Sequence, residues 1–349
     1  MKDSTMLQRL PRQQRSKNIH EISLISRGGF VDDVTACCML HQSLGLPYPK
    51  ASWPVLQRMW HVMLSKGAMK LFLVENRARP LGSRIVSFNA VIFVTDEFCS
   101  EARSTLPPYL CLELTRRYLA HELPVLNRDE VARANASDGL NAVMCFEGWA
   151  QNEIWPEELP LIREKHNEAF HLTLRGYHIK EFLAEQIGGE ALQWMTDAGA
   201  HLRRDYSDYF QKSGVPKPES SRRPSLVGLT KEEALAHPGR NIAGIFIYTA
   251  PRFHFNHSER VLLQHALRGA TCETLAASLS LSPWTVKKRW HAIYERVTDI
   301  DNELLPQPIA CGAHASSRGA ERRRYLLDYL RQHLEELRPH ERPNRRVSW

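Results

Sequence analysis

No stretch of the sequence approaches the ~18–20 consecutive apolar residues that a membrane-spanning helix needs, so no membrane partner is expected. The first twenty residues, MKDSTMLQRLPRQQRSKNIH, are polar and basic, with none of the apolar core of a secretory signal. Cysteines are few and odd in number, seven, with no C-x-x-C and no Cys/His pair at zinc-ligand spacing. A disulfide scaffold and a metal site are therefore not expected, and the thiols read as reduced ones in a cytoplasmic protein. The phosphate-cradling glycine loops are missing, as are G-x-S-x-G and H-E-x-x-H. With 43% hydrophobic and 24% charged residues the chain is neither disordered nor fibrous.

What is present is a chain of 349 residues, long enough for two domains, with a net charge of +7. That balance permits a nucleic acid partner. The basic excess is uneven. Residues 252–297 hold seven Lys/Arg against three Glu, 298–317 hold three acids and no Lys or Arg, and 318–349 hold nine Arg against five acids.

Residues 1–18 read as a basic tail and 19–210 as an α/β regulatory or sensor domain. Strands are expected at 21–25, 71–75, 84–95 and 140–146, with turn chemistry at 76–82 suggesting a hairpin. Helices are expected at 31–44, 53–65, 110–122, 159–174 and 190–198, the last preceded by the stop Gly188-Gly189. Residues 211–225, QKSGVPKPESSRRPS, have little to bury and read as a linker. A connector over 226–251 carries a helix at 231–236 and a strand at 242–248. A helical domain spans 252–300, and a loop and a basic amphipathic helix (318–338) fill 301–349. The expected fold class is thus an α+β N-terminal domain, a mixed sheet with flanking helices, plus an all-α C-terminal domain.

The most informative stretch is 255–297, FNHSERVLLQHALRGATCETLAASLSLSPWTVKKRWHAIYERV. Three helix starts are written in it. Asn256 with Glu259 three residues on forms a capping box, Thr271 can cap a second helix, and Ser282-Pro283 places a cap before proline at the first helical position. Gly269 stands where the first helix should end. Leu262, Leu263, Ala266 and Leu267, then Leu275, Ala276 and Leu279, then Val286, Trp290, Ile293 and Val297 give each helix one apolar face. With those positions inward, Lys287, Lys288 and His291 face out, and Trp284 and Thr285 lie at the helix start.

This pattern resembles the LuxR-type helix-turn-helix. Phe255, Asn256, Glu259, Leu262, Leu263, Gly269, Leu275, Ala276, Leu279, Leu281, Ser282, Thr285, Val286 and Lys287 stand at the matching spacings. Asn256 replaces the usual Thr, His257 a common Pro, and Ser280 the usual turn Gly. The resemblance implies that helix 282–297 reads the major groove of double-stranded DNA, with Lys287, Lys288 and His291 meeting bases or phosphates and Thr285 the backbone. Trp284 is added as a neighbour at the helix start. It also implies a homodimer and a small-molecule effector held upstream.

Residues 19–210 are less specific. The order of elements, a mid-chain hairpin and a later strand–helix–strand, resembles GNAT acyltransferases at the level of fold. The Q/R-x-x-G-x-G/A loop of that family, which holds the acyl-CoA pyrophosphate, is missing. Trp53, Trp60, Trp149 and Trp155 read as core or surface aromatics, with a ligand pocket as the alternative. His166, His171 and His178 read as core or solvated residues, and Asp32-Asp33 as a helix start favouring acids.

The sequence therefore leads to a transcriptional regulator of the LuxR type, not an enzyme, with no catalytic residue and no cofactor. The alternative is an acyltransferase-like enzyme or acyl-CoA-binding domain with an appended helix-turn-helix.

Overall fold

The computed structural model describes residues 24–150, 154, 156–306 and 315–341. The expected tail 1–18 and Trp155 lie outside the described residues. Strand β1 (Leu24–Gly28) leads to helices α1 (Val34–Ser43) and α2 (Ser52–Ser65), then to the hairpin β2 (Met69–Asn76) and β3 (Ile85–Val94). Helices α3 (Asp96–Ser104), α4 (Leu110–Leu119) and α5 (Arg128–Ala136) precede β4 (Leu140–Trp149), and α6 (Leu159–Leu174) carries the chain to β5 (Ile179–Ile187). Then follow α7 (Gly189–Asp197), β6 (His201–Arg204), α8 (Ser207–Ser213), β7 (Pro224–Thr230) and α9 (Lys231–Ala236). The C-terminal helices are α10 (His257–Leu267), α11 (Cys272–Ser278), α12 (Pro283–Ile300) and α13 (Ala315–Gln332).

The seven strands form one sheet in the order β1-β2-β3-β4-β5-β7-β6. Every neighbouring pair is antiparallel except β4 and β5, which are parallel and joined through α6. Helices cover both faces, which is why β3 and β4 read as nearly unbroken apolar runs instead of alternating ones. One face buries Trp60, Phe88 and Phe146 under α1, α2 and α4, and the other buries Phe72, Phe93, Phe170 and Phe182 under α5 and α6.

Residues 211–225 are not a linker, and this corrects the expected boundary. Their end opens β7, which is buried and pairs with β5 on one side and β6 on the other. Pro224 and Gly228 disguise it. Pro224 stands at the strand's first residue, where a missing N–H is tolerated. Gly228 is required by close approach, since a Cβ there would lie 2.5 Å from Leu183 Cδ2 and 2.7 Å from the Phe182 carbonyl oxygen. The fully buried Leu226 separates the two readings. Leu226→Ala is expected to cost about 2–5 kcal/mol in a denaturant melt. A linker residue would give under about 0.5 kcal/mol.

The strand expected at 242–248 is instead a 3-10 turn, Asn241–Phe246, whose Ile242, Ile245 and Phe246 plug the second core. The last helix breaks earlier than expected, at Gln332, and Leu334–Leu337 forms a separate 3-10 turn.

The three caps of the helical unit form as the sequence implies. Asn256 accepts from Glu259 N, Thr271 from Thr274 N and Ser282 from Thr285 N. Leu262, Leu263, Leu275, Val286, Trp290, Ile293 and Val297 meet in one core, closed by Leu326 and Leu330 of α13. Ser280 sits between α11 and α12 at φ 51°, where a Cβ is strained. Ser280→Gly is therefore expected to raise stability by about 1 kcal/mol in thermal melts. A loss of stability would show that the turn does not strain Ser280.

The C-terminal segment straps this unit to the sheet domain. Arg338 Nη2 donates to the Leu172 carbonyl at 2.7 Å and Nε to the Arg175 carbonyl at 2.9 Å, while Arg175 donates to the Gln332 carbonyl at 2.8 Å. Glu336 turns the other way and accepts from Arg252 N and Phe253 N at 2.8 and 3.0 Å. Arg268, at the end of α10, lies 4.4 Å from the Phe30 ring centre.

Candidate functional site

The parallel pair β4/β5 holds together only as far as Met144 and Ala184. Beyond that point β4 stays with β3 through Phe146–Trp149, and β5 stays with β7 through Glu185–Ile187. A bulge at Cys145, where the β3–β4 register shifts, bends β4 away. The strands part into a wedge, and a cavity of about 1060 Å³ opens there. Glu147 and Trp149 line one wall, and Gln186, Ile187 and Gly188 the other. Leu44 and Leu46, after α1, close one side, and Leu159 and Arg163 of α6 close another. Ala191 and Trp194 of α7 and the turn Ser220–Arg222 complete it.

Two carboxyl groups sit at the wedge. Glu185 accepts from Tyr109 N and Leu110 N, both at 2.8 Å, and from the Tyr206 hydroxyl at 3.1 Å. Tyr109 (φ 66°) and Tyr206 (φ 55°) are both left-handed, so two strained residues converge on one carboxylate at the N-terminus of α4. Burial still pushes the Glu185 carboxyl up to about 7, against these hydrogen bonds. Glu147 lines the cavity and no described residue hydrogen-bonds its carboxyl. Burial, with the charge of Glu185 added, pushes it up to about 7 as well. Its backbone is fixed from below, where His41 Nδ1 donates to the Glu147 carbonyl at 2.6 Å. Burial pulls His41 down to about 4, so its imidazole is neutral at physiological pH. An acid tuned near neutrality, facing a cavity and with no hydrogen-bond partner among the described residues, can take a proton from a bound nucleophile.

The aromatic and histidine candidates divide. Trp149 lines the wedge and stacks on His166, with ring centres 4.8 Å apart. Trp53 and Trp60 pack round His41 in the core. His166 is fully enclosed, contacts Ser87 and Asn89, and is pulled by burial to about 3. His171 bonds Asn241 at 2.8 Å, and His178 stacks on Tyr248 at 4.5 Å. Asp33 pairs with Arg27 at 2.8 Å. Among the described residues no three His, Cys, Asp or Glu stand together as a metal would need. No described helix is long and apolar enough to cross a membrane.

The second candidate surface is the outer face of α12. Trp284 is 69% exposed, and Lys287, Lys288 and His291 are exposed beside it. Lys288 Nζ lies 5.4 Å from the Trp284 ring centre, and His291 Nδ1 lies 3.2 Å from Glu295 Oε1. Thr285 is half-buried, its hydroxyl 2.9 Å from Ser282 Oγ. The five residues expected from the sequence share this face, and the docking of α10 and α13 leaves it open.

The sequence reading missed Glu147, Glu185 and Gln186. Two signals pointed there. The strand expected at 140–146 stopped one residue short of Glu147, and Gly188-Gly189 was read as a stop when it also forms the wall of the wedge.

The chain matches no protein-family profile and no curated protein sequence. Some solved structures resemble it loosely. The C-terminal condensation domain of Ebony in complex with beta-alanyl-dopamine has 12% identity and a TM-score of 0.36, over 60% of this chain and 99% of that one. Arabidopsis thaliana NAA60 in complex with acetyl-CoA has 8% identity and a TM-score of 0.36, over 60% and 98%. FeeM, an N-acyl amino acid synthase from uncultured soil microbes, has 10% identity and a TM-score of 0.33, over 62% and 95%. Likenesses this loose assign no substrate and no residue role. The mixed sheet with its flanking helices and its parallel strand–helix–strand is the α+β arrangement that the sequence led one to expect. The expectation that the chain is not an enzyme is withdrawn: the wedge holds the Glu147 carboxyl, which no described residue hydrogen-bonds, and the solved structures named above include an N-acyl amino acid synthase.

Proposed function

We propose that the sheet domain transfers an acyl group from a thioester to an amine, and that the helical unit joined to it binds double-stranded DNA. The observation that supports the first part is the Glu147 carboxyl, set with no hydrogen-bond partner among the described residues in the cavity between the parting strands β4 and β5. The parted strands leave backbone edge groups with no strand opposite. An extended, amide-bearing carrier arm fits such an edge as an added strand would. The loop after β4 has no glycines to cradle phosphates, but Arg163 and Arg222 stand at the cavity together with the N-terminus of α7, whose first turn also carries Glu190 there. They suit the anionic end of a coenzyme A thioester.

In this reading Glu147 removes a proton from the incoming ammonium group. The amine attacks the thioester carbonyl, the C–N bond forms, the C–S bond breaks, and the thiolate leaves, taking up the second proton that the nitrogen loses in becoming the amide. Release of free thiol from acyl-CoA in the presence of amines, followed in the parent protein and in Glu147→Gln, tests this reading.

The DNA reading rests on the exposed face of α12, where Lys287, Lys288, His291 and Trp284 stand with no described element over them. A salt titration of duplex binding tests it, because phosphate contacts make affinity fall with salt.

A further inference from the structure

We infer that the acyl group taken by this site is a medium to long alkyl chain rather than acetyl, an inference that rests on the acyl-transfer reading above. The cavity of about 1060 Å³ is far larger than acetyl transfer requires. At the ~30 Å³ that a water-sized group claims in a liquid, a carrier arm of about eighteen heavy atoms needs roughly 500 Å³ and an acetyl group about 90 Å³. On the same scale an alkyl chain of about eight to twelve carbons needs roughly 240–360 Å³, which fits in the remaining ~500 Å³ and leaves room for the amine. Part of its lining suits one: Leu44, Leu46, Trp149, Leu159, Ile187 and Trp194 give apolar surface, while Glu147, Arg163, Gln186, Glu190 and the turn Ser220–Arg222 give the polar remainder.

Trp194 is shared between two voids. It lines this cavity and borders a second, separate void of about 30 Å³ among Met144, Phe170, Met195 and Ile242. The indole is thus a wall between the wedge and further apolar space behind it. The chain length accepted is set by where Trp194 stands.

Calorimetric titration of the full chain with acetyl-, octanoyl- and dodecanoyl-CoA tests this. Each buried methylene is worth ~0.8 kcal/mol, so affinity is expected to rise about fourfold per methylene until the chain reaches Trp194. Dodecanoyl-CoA should bind at least about 100-fold more tightly than acetyl-CoA. Trp194→Ala should move the optimum to longer chains by opening the second void, and Ala191→Phe should move it to shorter ones by filling the first. Circular dichroism identifies a variant that has unfolded, and the parent's chain-length series stands without either. Acetyl- and dodecanoyl-CoA binding within twofold of each other would overturn the inference and leave the transfer reading intact. If thioesters do not bind but free octanoate and dodecanoate show the chain-length slope, the alkyl site stands and the transfer reading falls. If neither thioesters nor free acids bind, both fall.

Discussion

Glu147→Gln is expected to slow acyl transfer by about 10²–10⁴-fold while leaving the thioester's affinity within a few-fold, because a general base acts on the reaction and not on the carrier arm. The substitution conserves shape and removes only the ability to take a proton. The parent's activity should rise with pH through about 7, where burial and the Glu185 charge place the Glu147 carboxyl. Below that point the carboxyl is protonated and cannot accept the amine's proton. Glu147→Gln should lose this inflexion, and Glu147→Asp should keep it at lower rate. Stability should run the opposite way. Both carboxyls are raised from the ordinary 4.5 to about 7 in the fold, so the folded chain holds more protons than the unfolded one between those values. Stability is then lost as pH rises through that window. Thiol release across pH 5.5–9, with thermal melts over the same range, measures both. A Glu147→Gln variant with parental rate and inflexion would remove Glu147 from the chemistry.

Loss of Lys287 and Lys288 is the second large effect expected. Both are exposed, and neither touches the core formed by Val286, Trp290 and Ile293, so Lys→Ala substitutions should leave the helical unit folded. A lysine that meets a base edge should cost about 1–3 kcal/mol at the preferred site and relax preference at one position. A lysine that meets phosphate should weaken binding on every sequence and lower the salt slope by about one unit. The double variant should lose about 10–1000-fold in affinity on the preferred site. Val286→Asp is the contrasting case. It places a carboxylate in the core and should unfold the helical unit. Fluorescence anisotropy with preferred and random duplexes, at several salt concentrations, distinguishes these outcomes. Double-variant binding equal to the parent on both duplexes would exclude α12 as the reading element.

The C-terminal helices were legible in the sequence because their determinants are local. A cap acts on an N–H two or three residues away, and an apolar face repeats at 3–4 residues, so Asn256, Thr271, Ser282 and the Val286–Trp290–Ile293 row announce themselves. The left-handed turn at Ser280 was equally local. The hairpin β2–β3 belongs to the same class, with Ala78 N bonding the Asn76 side chain across the turn. The order of the remaining elements was enough to suggest the fold class, but not enough to place β7. There the decisive contact is between Gly228 and Leu183, 45 positions apart in the numbering of the chain.

The sequence by itself determined the helical unit, the strongly apolar central strands and the concentration of basic charge after residue 251. Only the tertiary structure decided the wedge and its chemistry. Glu147 is an ordinary carboxylate in the sequence. Its raised proton affinity comes from β4 and β5 parting beyond Met144 and Ala184, from burial among distant residues, and from Glu185, which Tyr109, Leu110 and Tyr206 hold in place. Desolvation and charge–charge repulsion depend on neighbours in space, and no local pattern encodes which neighbours those are.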